Sequence, residues 1–245
     1  MKILLTADLH SQRHFYDWVV LNASRYDLVA VAGDLLDIFA RDQGGQIDFL
    51  RSTWFPAMTA TGVPLAISSG NHDGSAIVWL SHIDRPGSVV GDGSTQLITA
   101  RSGERLIVTT CPYYRSFRQD DPVMIDLWEK GAALRDSEKA PWLVLHHEPP
   151  AGLIPPGTIT MHWLNLRLRE YGADFVSCGH FHEGGEPIFA QKVENAWCFN
   201  AGQQIYAPVP NHIILNTAER TATRVDITST PDLLLVEEQT EINLD

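Results

Sequence analysis

The chain has 245 residues, a formal net charge of −12 at pH 7 and a hydrophobic fraction of 44%. This composition is ordinary for a soluble globular protein and excludes a disordered, coiled-coil or collagen-like chain. The acidic balance disfavours a broad positive groove for extended nucleic-acid binding. We find no apolar stretch of the roughly 20 residues that a membrane helix needs and no signal-peptide pattern, so we expect a cytoplasmic protein with no membrane partner.

Three cysteines lie far apart in the chain and form no Cys-x-x-Cys pair, namely Cys111, Cys178 and Cys198. An odd number of scattered thiols is typical of a reducing compartment, in which cysteine packs as a small apolar side chain. We therefore expect buried structural thiols and neither a disulfide nor a nucleophile.

Short apolar runs rich in β-branched residues predict strands that are buried on both faces. In chain order these runs lie at 3–6, 28–32, 63–68, 106–110, 142–145 and 175–178. Stretches of helical length and amphipathic pattern separate them, at 15–23, 45–60, 123–134 and 161–171. This alternation favours α/β layers built on a largely parallel sheet.

The last part of the chain changes character. Residues 187–191, 196–200, 213–216 and 223–227 predict strands joined by short polar turns, which indicates a second sheet packed on the first. Residues 91–96 predict a hairpin turn, and the acidic end of the chain predicts a solvated, flexible tail. Because we find no linker, repeat or shift in composition, we expect one domain over residues 1–245.

Polar side chains follow five of the predicted strands at the point where each strand ends. Because open α/β sheets build their sites at the carboxyl ends of strands, we expect these groups to converge on one place. In chain order the motifs are Asp8-Leu9-His10, Gly33-Asp34, Gly70-Asn71-His72-Asp73, His146-His147 and Gly179-His180-Phe181-His182.

The residue types in these motifs indicate a metal site. Residues i and i+2 of an extended chain point to the same side, so Asp8 with His10, and His180 with His182, can reach one centre. Aspartate, asparagine and histidine suit divalent ions such as Mn²⁺, Fe²⁺ or Zn²⁺. Seven candidate ligands are too many for one tetrahedral ion and suit two ions that share a bridge, for which Asp34 is the best candidate. Such a pair would attract an anion such as phosphate.

In this order, the five motifs resemble the calcineurin-like metallophosphoesterase family. The stretch CFNAGQ, at 198–203, resembles the Asn-x-Gly segment that usually follows them. The resemblance implies an α/β fold, a four-layer α/β/β/α sandwich of two mixed sheets flanked by helices. It also implies a metal-dependent phosphoester hydrolase, with phosphodiesters slightly preferred, in which a hydroxide held between two ions attacks phosphorus.

Carried over by position, the resemblance implies a role for each motif residue. The first ion would be held by Asp8, His10, Asp34 and His182, and the second by Asp34, Asn71, His146 and His180. His72 would stabilise the phosphoryl oxygens and protonate the leaving oxygen, and Asp73 would orient its ring. In the His146-His147 pair, apolar alternation favours His146 as the ligand, with His147 as the alternative.

Other functions and roles stay open at this point. An exonuclease acting on DNA or RNA and a phosphomonoesterase are alternatives within the same family, and a non-catalytic metal-binding scaffold is an alternative of another class. Asp37 is expected either to bond a ligand imidazole or to lie at a helix N-terminus. The remaining histidines are expected to be structural or exposed, namely His14, His82, His162 and His212.

Overall fold

The computed structural model describes residues 1–74, 79–80, 89–116, 118–153, 162–182, 189–204, 206–229 and 235–245. Of the sequence predictions, His82 and the start of the expected strand at 187–191 lie outside the described residues.

The described strands and helices follow the predicted alternation. The strands are β1 (Lys2–Thr6), β2 (Leu28–Ala32), β3 (Leu65–Ser68), β4 (Val89–Val90), β5 (Thr95–Thr99), β6 (Arg105–Thr110), β7 (Trp142–Leu145), β8 (Phe175–Cys178), β9 (Ala190–Val193), β10 (Ala196–Asn200), β11 (His212–Asn216), β12 (Thr221–Ser229) and β13 (Leu235–Asn243). The helices are α1 (Arg13–Asn22), α2 (Gln43–Phe49), α3 (Phe55–Ala60), α4 (Pro122–Glu138) and α5 (His162–Tyr171). A π-helical turn at Leu50–Trp54 joins α2 to α3, and across the described ranges no helix is long and apolar enough to cross a bilayer.

The strands pair into two mixed sheets. The first has the order β13-β12-β11-β1-β2-β3-β4, and the second has the order β5-β6-β7-β8-β10-β9. In the first sheet β1 to β4 are parallel, and β11 to β13 add antiparallel neighbours. In the second sheet β6, β7, β8 and β10 are parallel, and the edge strands β5 and β9 are antiparallel. Each sheet therefore gathers the carboxyl ends of its parallel strands at one edge.

Three apolar layers hold the sheets and helices together, which confirms the α/β/β/α sandwich. Successive residues of β1 serve different layers, because Leu5 is buried between the two sheets whereas Leu4 packs with Tyr16 of α1. On the outer face of the second sheet, Trp128 of α4 packs edge to face on Trp142 of β7, with ring centroids 5.3 Å apart.

The C-terminal segment forms a strand in place of the expected flexible tail. β13 pairs antiparallel with β12 over its whole length, from Leu235 opposite Ser229 to Asn243 opposite Thr221. Leu244 is fully buried among the side chains between the sheets, and its carbonyl accepts a hydrogen bond from the Trp197 indole at 2.9 Å. The acidic side chains stay exposed on this edge strand, where charge discourages pairing with another sheet.

Residues 91–96 do not form the expected hairpin turn, because they connect the two sheets. β4 pairs with β3 in the first sheet, whereas β5 pairs with β6 in the second. The Asp92 carboxylate in this crossover accepts hydrogen bonds from the Ser69 N–H at 3.0 Å and from the Ser69 hydroxyl at 2.8 Å. Asp92 therefore ties the crossover to the residue that follows β3.

Asp92 gives a pH-dependent contribution to stability. Burial raises the pKa of Asp92 from 3.8 to about 6, although the bonds from Ser69 act in the opposite direction. The folded state then binds the proton more tightly than the unfolded chain, so this contribution is fully present below about pH 4 and is lost as the pH rises through about 6.

We expect Asp92→Asn to raise Tm at pH 7 by roughly 5 °C and to leave Tm at pH 4 nearly unchanged. The amide oxygen can still accept the Ser69 N–H, the amide nitrogen can donate to the Ser69 hydroxyl oxygen, and the side chain carries no charge to bury. Thermal melting at the two pH values is the measurement, with the exposed Asp17→Asn as the matched control. An equal gain at both pH values would contradict the role assigned to the carboxyl proton.

Candidate metal centre

The loops that follow the parallel strands of both sheets meet at one edge of the sandwich. The Asp8 N–H donates to the Gly33 carbonyl at 3.0 Å, which joins the loops after β1 and β2. His147 follows β7 of the second sheet, and its Nδ1 donates to the Ala32 carbonyl of β2 at 2.7 Å. A buried imidazole therefore bridges the two sheets beside the candidate site.

Four of the motif residues that carry a Cβ atom have left-handed backbone conformations. The φ angles are 56° for Asp8, 42° for His10, 53° for Asp34 and 71° for His180. Such conformations cost of order 1–3 kcal/mol for residues with a Cβ atom and persist only where the surrounding structure holds them. Here they turn the backbone sharply after each strand, so that the side chains point back to the edge of the sandwich where the loops meet.

Gly70 allows two of these loops to approach each other closely. A Cβ atom on Gly70 would lie only 2.5 Å from the backbone nitrogen of Asp34. No side chain fits at this distance, so glycine at this position is what allows the loop before Asn71 to approach Asp34.

The first group of donor atoms belongs to Asp8, His10 and His182, and these atoms lie within 4.8 Å of one another. His182 Nε2 is 3.3 Å from Asp8 Oδ1 and 3.0 Å from His10 Nε2. His10 Nδ1 lies 3.3 Å from the Leu36 carbonyl, and a ring that donates to this oxygen turns its Nε2 lone pair towards the group. Spacings of about 3 Å are those expected for ligands that each lie about 2.1 Å from one ion.

The second group centres on the side-chain oxygen of Asn71. This oxygen lies 3.0 Å from His147 Nε2 and 2.7 Å from His180 Nδ1. His147 Nε2 also lies 3.3 Å from Asp34 Oδ2. Nδ1 of His147 donates to a carbonyl, so Nε2 of the neutral ring carries a lone pair and no hydrogen. This lone pair faces the side-chain oxygens of Asn71 and Asp34.

This arrangement needs a positive charge at Nε2 of His147, either a second proton or a cation. Burial lowers the pKa of His147, but the carboxylates of Asp34 and Asp8 outweigh burial and raise it to about 10. The same negative surroundings would favour a divalent ion. The donor set of carboxylate, amide oxygen and imidazole therefore fits a borderline divalent cation.

Asp34 lies between the two groups of donor atoms. Its Oδ2 is 3.3 Å from His147 Nε2 and 3.8 Å from His10 Nε2, and its Oδ1 accepts the His72 N–H at 2.7 Å. Burial acts to raise the pKa of Asp34, but the interactions with His147, His72 and His10 lower it to about 2. An ionised carboxylate that faces both groups has the placement that a bridging ligand needs.

The structure brings His147, and not His146, to the second group, so the preference for His146 is corrected. His146 is completely buried, its Nδ1 donates to the Glu148 carbonyl at 2.6 Å, and its ring packs on Trp163 at 5.4 Å between centroids. The alternation that favoured His146 does not apply, because β7 ends at Leu145.

His72 lies beside both groups of ligands. Its Nε2 is 4.0 Å from Asp34 Oδ2, and its ring centroid is 4.5 Å from that of His10. Its Nδ1 accepts the Ile38 N–H at 3.3 Å, and the Phe39 ring packs edge-on against it at 5.2 Å. Since Nδ1 accepts, the hydrogen of the neutral ring is on Nε2, the atom that faces Asp34.

Asp73 does not orient His72, which corrects the expected role. Its two carboxylate oxygens accept the N–H groups of Leu36 and Gly70, both at 2.8 Å. Burial and the nearby Asp34 carboxylate raise the pKa of Asp73 to about 8. The side chain therefore fastens the loop after β2 to the loop after β3, because one carboxyl group bonds to the backbone of both.

Glu148 is a buried residue directly after the histidine pair, and none of the sequence predictions includes it. Its Oε1 lies 3.5 Å from His180 Nε2 and accepts the Tyr113 hydroxyl at 3.3 Å. Because the other ring nitrogen of His180 faces Asn71, the Glu148 carboxylate can orient this imidazole from behind. The sequence signal that could have identified Glu148 is an acidic residue directly after His146-His147.

Two further polar residues support the loops. Asn200 of the CFNAGQ stretch donates from Nδ2 to the carbonyls of Gly179 and Phe181, at 3.2 and 3.3 Å, and so holds the chain around His180. Asp37 takes neither of its expected roles, because its carboxylate accepts the Phe39 N–H at 2.9 Å. The side chain that caps α2 is that of Asp42.

The remaining expectations concern residues away from these groups. His14 and His212 bond to the backbone carbonyls of Ala207 and Pro210, at 3.1 and 2.9 Å, as expected of structural histidines. The three cysteines are buried and free, as expected of thiols that pack in the core.

We expect His147→Ala to weaken metal binding at least about 100-fold, because a ligand is lost from the second group. His146→Ala is the matched control and should keep the metal content while lowering Tm, since only a buried packing contact is lost. Elemental analysis of dialysed, reconstituted protein and thermal melting are the measurements. Metal loss in His146→Ala with full retention in His147→Ala would reverse the assignment.

Comparisons with known proteins identify the family of the chain and its fold. The family model described as calcineurin-like phosphoesterase matches residues 1–184. No curated protein sequence matches the chain. Among solved structures, TT1561 of Thermus thermophilus is 13% identical with a TM-score of 0.57, and the alignment covers 97% of each chain.

Two further solved structures have the same fold at low identity. Purple acid phosphatase PPD1 from yellow lupin (Lupinus luteus) seeds is 12% identical with a TM-score of 0.56, and the alignment covers 99% of this chain and 53% of that one. The calcineurin-like phosphoesterase YfkN from Bacillus subtilis is 10% identical with a TM-score of 0.53, over 100% and 90% of the two chains. Because the family model also spans most of the chain, the protein belongs to the calcineurin-like phosphoesterase family.

Proposed function

We propose that the protein is a dinuclear metal-dependent phosphoester hydrolase that prefers phosphodiesters to phosphomonoesters. The observation that carries this proposal is that Asp34 faces two groups of donor atoms at once, through His10 on one side and His147 on the other. Two such groups around one carboxylate are what a pair of ions with a shared ligand requires.

The distances between the donor atoms support one set of ligands for each ion. Asp8, His10, His182 and Asp34 would hold one ion, and Asp34, Asn71, His147 and His180 would hold the other. Mn²⁺, Fe²⁺ and Zn²⁺ suit these donors. When bound, such ions neutralise charge on the phosphoryl oxygens and lower the pKa of a coordinated water, so that it becomes a nucleophile at neutral pH.

The protein residues around the ligands fit an anionic substrate. Asp8 and Asp34 are the two carboxylates in the ligand set, so two divalent cations would leave a net positive charge at the site. Since the whole chain carries a net charge of −12, this positive charge would be local. A compact phosphoester suits such a site better than a long nucleic acid does.

The apolar surface beside His72 supports the preference for diesters. Phe39 and Tyr114 are 85% and 53% exposed, and Ile38 is 40% exposed. The Phe39 ring packs on His72, and the Tyr114 hydroxyl lies 3.4 Å from the Asn71 carbonyl. A diester has a second organic group that can cover these side chains, whereas a monoester presents only one.

The proposed role of His72 is to donate a hydrogen bond from Nε2 to a phosphoryl oxygen. The Ile38 N–H supports this role, because it occupies Nδ1 and leaves the hydrogen on Nε2. Protonation of the leaving oxygen is the alternative role. It would require a hydrogen on both nitrogens before the step and would break the bond with Ile38.

The main competing function is that of a non-catalytic scaffold that binds metal without hydrolysis. It differs from the proposed function in one measurable respect, which is turnover in the presence of bound metal. An exonuclease and a phosphomonoesterase are the alternatives among enzymes, and they differ in whether oligonucleotides or monoesters are hydrolysed in place of simple diesters.

We expect the metal-reconstituted protein to hydrolyse an aryl phosphodiester, and Asp34→Asn to lower kcat/KM at least about 100-fold. We also expect the loss of the bridging charge in Asp34→Asn to lower the amount of bound metal, which elemental analysis measures. Asp37→Asn is the control, because Asp37 lies in the adjacent loop and the amide oxygen can keep the hydrogen bond that the carboxylate accepts from the Phe39 N–H. Full metal loading with no turnover on diesters, monoesters or oligonucleotides would leave the scaffold as the function.

We expect His72→Ala to lower kcat by a similar factor on aryl and alkyl phosphodiesters. A donor to the phosphoryl oxygen acts equally on both, whereas a proton donor to the leaving group matters more for the alkyl ester. Steady-state kinetics on a matched pair of esters is the measurement. A much larger loss on the alkyl ester would establish leaving-group protonation as the role of His72.

A further inference from the structure

Gln46, in the first turns of α2, is a buried amide that none of the sequence motifs includes. It is 8% exposed, and both ends of its side chain form hydrogen bonds. The oxygen Oε1 accepts the Asp37 N–H at 2.9 Å and the Ser11 hydroxyl, and Nε2 donates to the Asp37 carbonyl at 3.2 Å. A buried amide is tolerated when its donors and acceptors are bonded in this way.

The partners of Gln46 belong to the two loops that begin the candidate metal centre. Ser11 directly follows His10, and its N–H donates to the Leu35 carbonyl at 2.9 Å. Asp37 lies three residues after Asp34 and is bonded by Gln46 at both its N–H and its carbonyl. Gln46 therefore joins the loop after β1 to the loop after β2.

The next residue in the second loop forms the contact with His72. Ile38 donates its N–H to His72 Nδ1 at 3.3 Å, directly after the backbone that Gln46 holds. Since a backbone N–H is always a donor, this contact requires an unprotonated Nδ1. The hydrogen of the ring is then on Nε2, which lies 4.0 Å from Asp34 Oδ2.

We infer that Gln46 is a positioning residue for His72. By bonding the backbone N–H and carbonyl of Asp37, Gln46 holds the Ile38 N–H against Nδ1 of His72. The hydrogen of the His72 ring is then on Nε2, which faces the metal ligands. Without Gln46, the backbone of Asp37 loses two hydrogen bonds, so the Ile38 N–H is held less firmly and the hydrogen of the ring is free to occupy either nitrogen. The effect on turnover rests on the proposed hydrolase function, whereas the effect on the ring hydrogen does not.

The test replaces Gln46 by methionine, which keeps the length of the side chain and removes its hydrogen-bonding groups. Gln191→Met is the matched control, since Gln191 is exposed on β9 at the far edge of the second sheet. Long-range ¹H–¹⁵N correlation spectra of protein labelled in the histidine rings identify the nitrogen that carries the hydrogen. The His72 signals are assigned by their loss in His72→Ala.

We expect His72 to carry its hydrogen on Nε2 alone in the wild type and in Gln191→Met, and on both nitrogens in exchange in Gln46→Met. With an aryl phosphodiester, kcat of Gln46→Met should fall about 10-fold, while KM changes less than about twofold and the bound metal is unchanged. A Gln46→Met protein with the hydrogen still on Nε2 alone and with wild-type kcat would overturn the inference.

Ser11→Gly is the second variant, for use if Gln46→Met does not fold. It removes one bond to Gln46, and glycine tolerates the φ of 56° at this position. We expect the same spectral change in smaller amplitude, and a spectrum identical to that of the wild type would count against the role of Gln46. If the wild type hydrolyses no phosphoester, the proposed function fails, and the ring spectra alone decide on Gln46.

Discussion

The ionised carboxylate of Asp34 is the group on which the arrangement of the site depends. It follows β2, and the loops after three other strands contribute its partners: the His10 ring after β1, the His72 N–H after β3 and the His147 ring after β7. A buried carboxylate without such partners would be strongly unfavourable. The need to satisfy this charge therefore brings the four loops together, and the same convergence assembles the two groups of donor atoms.

The sandwich provides the rigidity that this convergence requires. Asp8 and Asp34 both have positive φ, and such strained conformations last only when the neighbouring structure is well packed. The apolar layer between the sheets brings the ends of β2 and β7 close enough for His147 to bond the Ala32 carbonyl. The local strain is thus offset by a large buried core, and the ligand atoms are held at spacings that suit metal ions.

A second set of buried polar side chains holds the loops without belonging to either group of donor atoms. Asp73 bonds the loops after β2 and β3, Gln46 bonds those after β1 and β2, and Asn200 bonds the segment around His180. Glu148 lies behind the same imidazole. These side chains determine the orientation of the candidate metal ligands and of His72. Substitutions at them are therefore expected to alter activity by changing the positions of those groups.

The sequence by itself determined the layers and most of the candidate ligands. Short apolar runs rich in β-branched residues are local signals, and Asp8, His10, Asp34, Asn71 and the His180-x-His182 pair stand directly after strand ends. Only the tertiary structure decided between His146 and His147 as the residue near Asn71. It also showed that the Asp73 carboxylate bonds to backbone N–H groups and that the acidic terminus is an edge strand. These outcomes depend on how the chain turns after a strand and on which distant groups it meets. Alternation within one strand carries no information about either, because the two-residue period stops where the extended backbone ends.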